Sequence, residues 1–477
     1  MSIPPEGLPA EQVLAELRAL RAGDLPTHGG RTLAYVYDSG RGLDELGAAA
    51  HALASSANGL DPTAFPSLLR MENDVVAAAA ALLGGGAGNV TSGGTESCLL
   101  AVYAARSARP DIDAPRIVLP ATAHAAFHKA ARYFGVEPVM VGVDPDTFRA
   151  DPAAMAAAID ERTVLVVVSA PSYAHGVVDP VRPVAAAAAA RGVRCHVDAC
   201  IGGWLLPYLR RLGAEVPDFD FSVPGVTSIS VDLHKYAYCP KGTSVLLHAD
   251  ADLRRSQYFA SAAWPGYTML NSTVQSTRSG GPLAAAWAII RHVGDAGYAE
   301  LAGRTLAATR ALRAGIDGID GLRVLGEPCS SLLAVTATGD DLDVFTVADE
   351  MTARRWYVQP QFAHGPSPAN LHLTVTAANH GSEPELLADL AASVAAARAQ
   401  GPVRVPPEVV DVIAALDPAT LTGEQFAGLL AAAGLGGAGL PDRMAGVNAL
   451  LAAAPAALRE RVLVEFLGLL YTPGHSE

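Results

Sequence analysis

Lys235 is the side chain with the most chemistry within reach. It follows His234 at the end of a short apolar run, residues 229–233. A second apolar run, 244–248, comes after the polar turn that carries Pro240, Lys241 and Gly242. Two such runs about a turn read as strands. A lysine held between apolar strands loses part of its hydration. That lowers the ammonium pKa and frees a nucleophilic amine, as Schiff-base lysines require. A hairpin with a surface lysine fits the same stretch equally well. Upstream, residues 194–198 read as a strand ending in Asp198, followed by a small-residue turn. A carboxylate at a strand end suits a cofactor whose ring nitrogen needs a negative partner. Pyridoxal phosphate (PLP), carried on a lysine, is such a cofactor. Further upstream, Asn89-Val-Thr-Ser-Gly-Gly-Thr-Glu-Ser97 places a Gly-rich turn before an apolar helix over 98–105. The N–H groups at a helix start make a phosphate site. The turn alone is weak evidence, since a plain helix cap has the same composition. The order of turn, aspartate and lysine is far more specific.

These segments resemble those of the sphingosine-1-phosphate lyases, fold-type-I PLP enzymes close to the group II amino-acid decarboxylases. The resemblance is carried also by Thr122-Ala-His-Ala-Ala-Phe-His-Lys-Ala-Ala131, Ser169-Ala-Pro-Ser-Tyr-Ala-His-Gly-Val-Val-Asp179 and Ser276-Thr-Arg-Ser-Gly-Gly281. It covers roughly residues 30 to 380 and returns near the C-terminus at 442–445 and 465–471. Asp198-Ala199-Cys200, where decarboxylase relatives tend to carry Asp-Ala-Ala, favours the lyase branch. The resemblance implies that Lys235 holds PLP and then serves as general base or acid. Asp198 keeps the ring nitrogen protonated, and His124 stacks on the ring. Gly94, Thr95 and His234 bind the cofactor phosphate. Thr277 reaches the cofactor phosphate of the other subunit, which implies a homodimer with shared sites. Tyr37, Asn58, Tyr173 and Lys241 face the substrate, although Tyr37 also reads as a packing tyrosine and Lys241 as a solvated turn residue. The implied reaction is retro-aldol cleavage of a phosphorylated sphingoid base, or a similar amino alcohol, to a long-chain aldehyde and phosphoethanolamine. Lys235 is the first candidate for the base that takes the 3-hydroxyl proton. Decarboxylation of an amino acid is the alternative. One departure stands out: the family has a histidine near the position of Asp61, where it helps bind the substrate phosphate. An aspartate there would repel a dianion.

The elements that must position these groups follow from the pattern. Apolar runs at 116–119, 137–141, 164–169, 194–197 and 229–231 alternate with alanine-rich helices. That alternation predicts a mostly parallel α/β sheet with helices on both faces and a ligand at the carboxyl ends of the strands. An N-terminal segment, 1–70, contains helices over 8–22, with Val13, Leu17 and Leu20 on one face, and 43–54. It also holds an extended stretch over 33–37. A helix over 65–83 leads into the large PLP-binding domain, 71–305. A long helix over 286–304 leads out of it. The smaller α+β C-terminal domain, 306–477, has strands at 322–325, 332–336 and 371–375 and ends in a helical tail. A linker reads at 401–407 and a mobile Gly/Ala-rich stretch at 432–440.

The chain has 477 residues, half of them hydrophobic and 17% charged, so a large core can be buried. The net charge of −14 argues against a nucleic-acid partner and a basic membrane-surface patch. The partner expected is a small molecule. Cys98, Cys195, Cys200, Cys239 and Cys329 are scattered, with no C-x-x-C pair. They read as reduced thiols in a cytoplasmic protein, with no metal site. No basic n-region opens the sequence and no stretch of about 18 apolar residues suggests a membrane span.

Overall fold

The computed structural model describes residues 3–432 and 441–471. The stretch singled out at 432–440 lies outside them apart from its first residue. Seven strands form the central sheet: β1 (Ala87–Thr91), β2 (Arg116–Pro120), β3 (Glu137–Val141), β4 (Thr163–Ser169), β5 (Arg194–Asp198), β6 (Ser228–Asp232) and β7 (Ser244–His248), in the order β1-β7-β6-β5-β4-β2-β3. Only β7 runs against its neighbours, pairing antiparallel with β1 and β6. The other pairings are parallel. All seven residues of β4, Thr-Val-Leu-Val-Val-Val-Ser, are buried. Such a continuous β-branched run suits a strand covered by helices on both faces. The mostly parallel sheet expected from the sequence is therefore present, and the carboxyl ends of β1, β2, β4, β5 and β6 share one edge.

Helices α1 (Ala10–Leu20), α2 (Asp44–Ala54), α3 (Pro66–Leu82), α4 (Gly94–Ser107) and α5 (Ala126–Phe134) lie close to their expected places. Two details differ. The stretch 33–37 is not a strand. Leu33 N donates to the Tyr357 carbonyl (2.8 Å), and Tyr35 then turns the chain at φ 62°. The apolar face of α1 is not buried in this chain: Val13, Leu14, Leu17 and Leu20 are all exposed. The long helix also starts earlier and ends later than its alanine pattern suggested, at Gly280–Asp317, with a break at Gly294 (φ 64°, ψ 174°). Glycine adopts that conformation without a Cβ penalty. Ile289 and Val293 before the break join the core of the large sheet, while Leu312 and Ile316 after it join the second core. The expected boundary at 305/306 thus falls inside a helix shared by both bodies.

A small hairpin, β8 (Phe259–Ser261) with β9 (Met269–Asn271), precedes that helix. The second core lies under an antiparallel sheet of β10 (Leu322–Val324), β11 (Leu332–Ala337), β12 (Gln359–Gln361) and β13 (Asn370–Thr374), ordered β10-β11-β13-β12. β12 has the sequence Gln-Pro-Gln, an edge strand with no apolar alternation to announce it. The C-terminal helices dock through charge. Arg443 pairs with Glu350 at 2.7 Å, and Asp349 accepts the Met444 and Ala445 N–H groups at 2.8 and 3.0 Å.

Candidate active site

Where β6 ends, the chain turns tightly and Lys235 N donates back to the Asp232 carbonyl (3.2 Å). The turn points Lys235 into a cavity of about 410 Å3 at the carboxyl edge of the sheet. Gly94, Thr95, His124, Tyr173, Asp198 and His234 line the same cavity. Seven of the residues chosen from the sequence therefore converge, although they are spread over some 140 positions, from Gly94 to Lys235.

Each is held by its element. Asp198 closes β5, and its Oδ1 accepts the Cys200 N–H at 3.1 Å. Behind it the buried His196 meets Ser228 Oγ through Nδ1 (2.9 Å) and Ser230 Oγ through Nε2 (3.3 Å). Burial pushes His196 down to about 4, so it serves as a neutral brace. The turn between β1 and α4 brings the helix start to the cavity, and no side chain caps that helix. Its first N–H groups have no intrahelical partner. Gly94 is obligatory for a steric reason: a Cβ there would lie 2.6 Å from the Asp232 carboxylate and 2.8 Å from the Cys200 sulfur. Glu96 braces the turn, accepting Ser92 N–H (2.6 Å) and Val274 N–H (2.8 Å). His124 is exposed, and its Nδ1 accepts the Ala126 N–H at 3.2 Å. Tyr173 donates to Gln359 Oε1 (2.6 Å) and stacks on the buried His372, rings 4.2 Å apart.

Electrostatics change the reading of the lysine. Lys235 Nζ lies 2.8 Å from Asp232 Oδ2, and Asp232 is buried. Ser244 Oγ donates to the other carboxylate oxygen at 2.6 Å. Desolvation works against the ammonium, but the Asp232 charge outweighs it and raises Lys235 well above the ordinary lysine value. A lysine so paired is held as a cation in the cofactor-free chain. His234 donates through Nδ1 to the Thr243 carbonyl (3.0 Å), and burial lowers its pKa. Lys241 and Tyr37 are not among the residues that line the cavity; Lys241 donates to the Tyr35 carbonyl (2.9 Å) and lies 5.1 Å above the Tyr37 ring. Lys241 keeps solvent on one side, yet the surrounding protein and the Lys235 charge push it down to about 8. Tyr37 packs edge-on against Tyr236 at 5.1 Å, and burial lifts its phenol to about 12. Tyr236 itself donates to the Val375 carbonyl (2.7 Å) and meets Ser331 Oγ, both in or beside the small sheet.

Asn58 and Thr277 do not reach this cavity. Asn58 accepts the Leu60 and Arg278 N–H groups, Thr277 is exposed, and their neighbours line a second cavity of about 570 Å3. Asp61 is turned into its own loop. Its Oδ1 accepts from Thr63 N (2.8 Å), Thr63 Oγ1 (2.6 Å) and Ala64 N (3.3 Å), ahead of α3. Asp232 was not among the site residues chosen from the sequence, although its position three residues before Lys235 at a strand end was a readable signal. Gln359 and His372 gave none, because they come from the other domain. Cys98, Asp198 and Cys200 bring three donor atoms within 4.8 Å, a set that their separation along the chain conceals.

A family model described as the pyridoxal-dependent decarboxylase conserved domain matches residues 6–328. The chain belongs to that family. A model for the C-terminal HTH domain of pyridoxal-dependent enzymes matches 407–469. Sphingosine-1-phosphate lyase of Dictyostelium discoideum is 36% identical over 399 residues, 82% of this chain and 74% of that protein. Sphingosine-1-phosphate lyase 1 of Rattus norvegicus is 37% identical over 382 residues, 79% of this chain and 66% of that protein. The solved sphingosine-1-phosphate lyase of Burkholderia pseudomallei superposes with a TM-score of 0.79 at 36% identity, covering 84% of this chain and 94% of that one. Glutamate decarboxylase of Lactobacillus brevis, at 19% identity and a TM-score of 0.74, shares the fold. Membership makes the protein a PLP-dependent lyase. The donor set fits the group: an amine, a carboxylate set back by β5, and an uncapped helix start that only glycine lets the chain approach.

Proposed function

We propose that the protein cleaves the carbon–carbon bond between the amine-bearing and hydroxyl-bearing carbons of a phosphorylated sphingoid base, yielding a long-chain aldehyde and phosphoethanolamine. The observation that carries this is the convergence of Lys235, Asp198, His124 and the Gly94 turn in a chain 36% identical to a sphingosine-1-phosphate lyase over most of its length. Bound PLP supplies an electron sink for the broken bond. Asp198 supplies the negative partner for the ring nitrogen, His124 a flat face, and Gly94, Thr95 and His234 the phosphate donors. Lys235, once free, is held cationic by Asp232 and returns a proton to carbon. Lys241, lowered to about 8, is the amine best suited to take the hydroxyl proton near neutrality. Asp61 is turned into its own loop and does not line the cavity, which supports a phosphorylated substrate.

We further propose a homodimer in which Thr277 and Asn58 serve the neighbouring site. The exposed α1 face and the second cavity beside these residues support that reading. The five unpaired thiols suit a reducing, cytoplasmic setting. Among the described residues no helix is long and apolar enough to cross a membrane.

The test is product analysis. Purified protein is incubated with phosphorylated and unphosphorylated sphingoid bases and with an amino-acid panel. Long-chain aldehyde from the phosphorylated base supports the proposal. Carbon dioxide from an amino acid without any aldehyde overturns it in favour of decarboxylation.

A further inference from the structure

We propose that Cys98, Asp198 and Cys200 form a site for a soft divalent cation of the zinc or cadmium class, open only while the cofactor is absent. One donor atom from each lies within 4.8 Å of the others, and all three residues are buried. They arrive from separate elements, Cys98 in α4, Asp198 at the end of β5 and Cys200 just beyond it. All three line the 410 Å3 cavity. Two sulfurs and a carboxylate oxygen are the donors that zinc-class ions take, and three protein ligands leave a fourth position open. Here that position faces the cavity, where water can fill it.

The surroundings favour a cation. The Asp232 carboxylate approaches the same spot, since a Cβ on Gly94 would touch both it and the Cys200 sulfur. Lys235 lies beside the same carboxylate, so a bound ion shares the Asp232 charge with its ammonium. His234 donates to the Thr243 carbonyl. Coordination costs the hydrogen bond from Cys200 Sγ to Ser230 Oγ (3.2 Å) and releases the two thiol protons to solvent.

Exclusivity follows from Asp198. A cation on that carboxylate removes the negative partner of the pyridine ring, and a ring seated in the cavity covers all three donors. The competition rests on the assignment of this cavity to PLP. The cation site itself does not.

The experiment titrates cadmium into full-length protein, stripped of cofactor and metals or loaded with PLP. It follows the ultraviolet thiolate-to-cadmium charge-transfer band. The expected result is one ion per chain in the stripped protein and loss of the band in the loaded protein. Cys98→Ala and Cys200→Ala each lose the band, whereas Cys195→Ala and Cys239→Ala, whose thiols are buried elsewhere, keep it. Cys98→Ser repeats the test with a side chain of similar size, and cadmium raises the Tm of stripped wild type but not of this variant. No band in stripped protein, or a band that survives both Cys98 and Cys200 substitutions, overturns the site. A band undiminished by bound PLP overturns the exclusivity. Failure of PLP to bind at all, with the cadmium band present, counts against the cofactor assignment and leaves the cation site standing.

Discussion

Asp232→Asn isolates what the buried carboxylate does to Lys235. Unit charges 2.8 Å apart attract by about 6 kcal/mol at an effective dielectric constant of about 20. Desolvation of both ions offsets much of this, so removing one partner of such a pair costs about 3–5 kcal/mol. The variant therefore carries a lysine that is much easier to deprotonate. Only the neutral amine attacks an aldehyde, so PLP capture by cofactor-free protein reports the free-amine fraction. In wild type the ammonium is held above its ordinary value, and capture should climb about tenfold per pH unit from about pH 6 to about pH 10. In Asp232→Asn the largest opposition to desolvation is gone, and the lysine pKa should fall, giving faster capture at pH 7 and a plateau at higher pH. The assay is stopped-flow absorbance of the lysine-linked cofactor band. Parallel profiles for the two proteins would show that Asp232 does not govern Lys235.

Lys235→Ala should lose that band and all turnover, with an unchanged far-ultraviolet circular dichroism spectrum. Lys241→Met should remove the rise in turnover through about pH 8 while leaving PLP binding intact, as read from the pH dependence of kcat. Gln359→Leu frees the Tyr173 hydroxyl from its 2.6 Å bond and should raise KM more than it lowers kcat. The Arg443 side chain holds the Glu350 carboxyl at about 2, so this docking contact contributes above the ordinary carboxylate value and is lost as pH falls toward about 2. Arg443→Ala should therefore expose the C-terminal helices to limited proteolysis already at neutral pH.

The strands were legible because burial on both faces demands uninterrupted Val, Leu and Ile, and β4 and β7 are written in that way. The cavity was legible because residues that end strands must share one edge of a parallel sheet, which places Asp198 beside Lys235 whatever lies between them. β12 was hidden because an edge strand of Gln-Pro-Gln needs no apolar face. The apolar face of α1 was legible, but periodicity reports an apolar face and not what covers it. The charge state of Lys235 was hidden for another reason. Its pKa depends on a 2.8 Å contact with Asp232, and spacing alone does not say whether a neighbour points in or away.

Tyr236 has a mechanical meaning. It follows Lys235 directly, and its hydroxyl is fastened to Val375 and Ser331 of the other body. The lysine segment is thus geared to the small sheet as firmly as to β6. A rocking of one body over the other would be transmitted to the amine within a single residue, so opening for product release and displacement of Lys235 would be one stroke and not two.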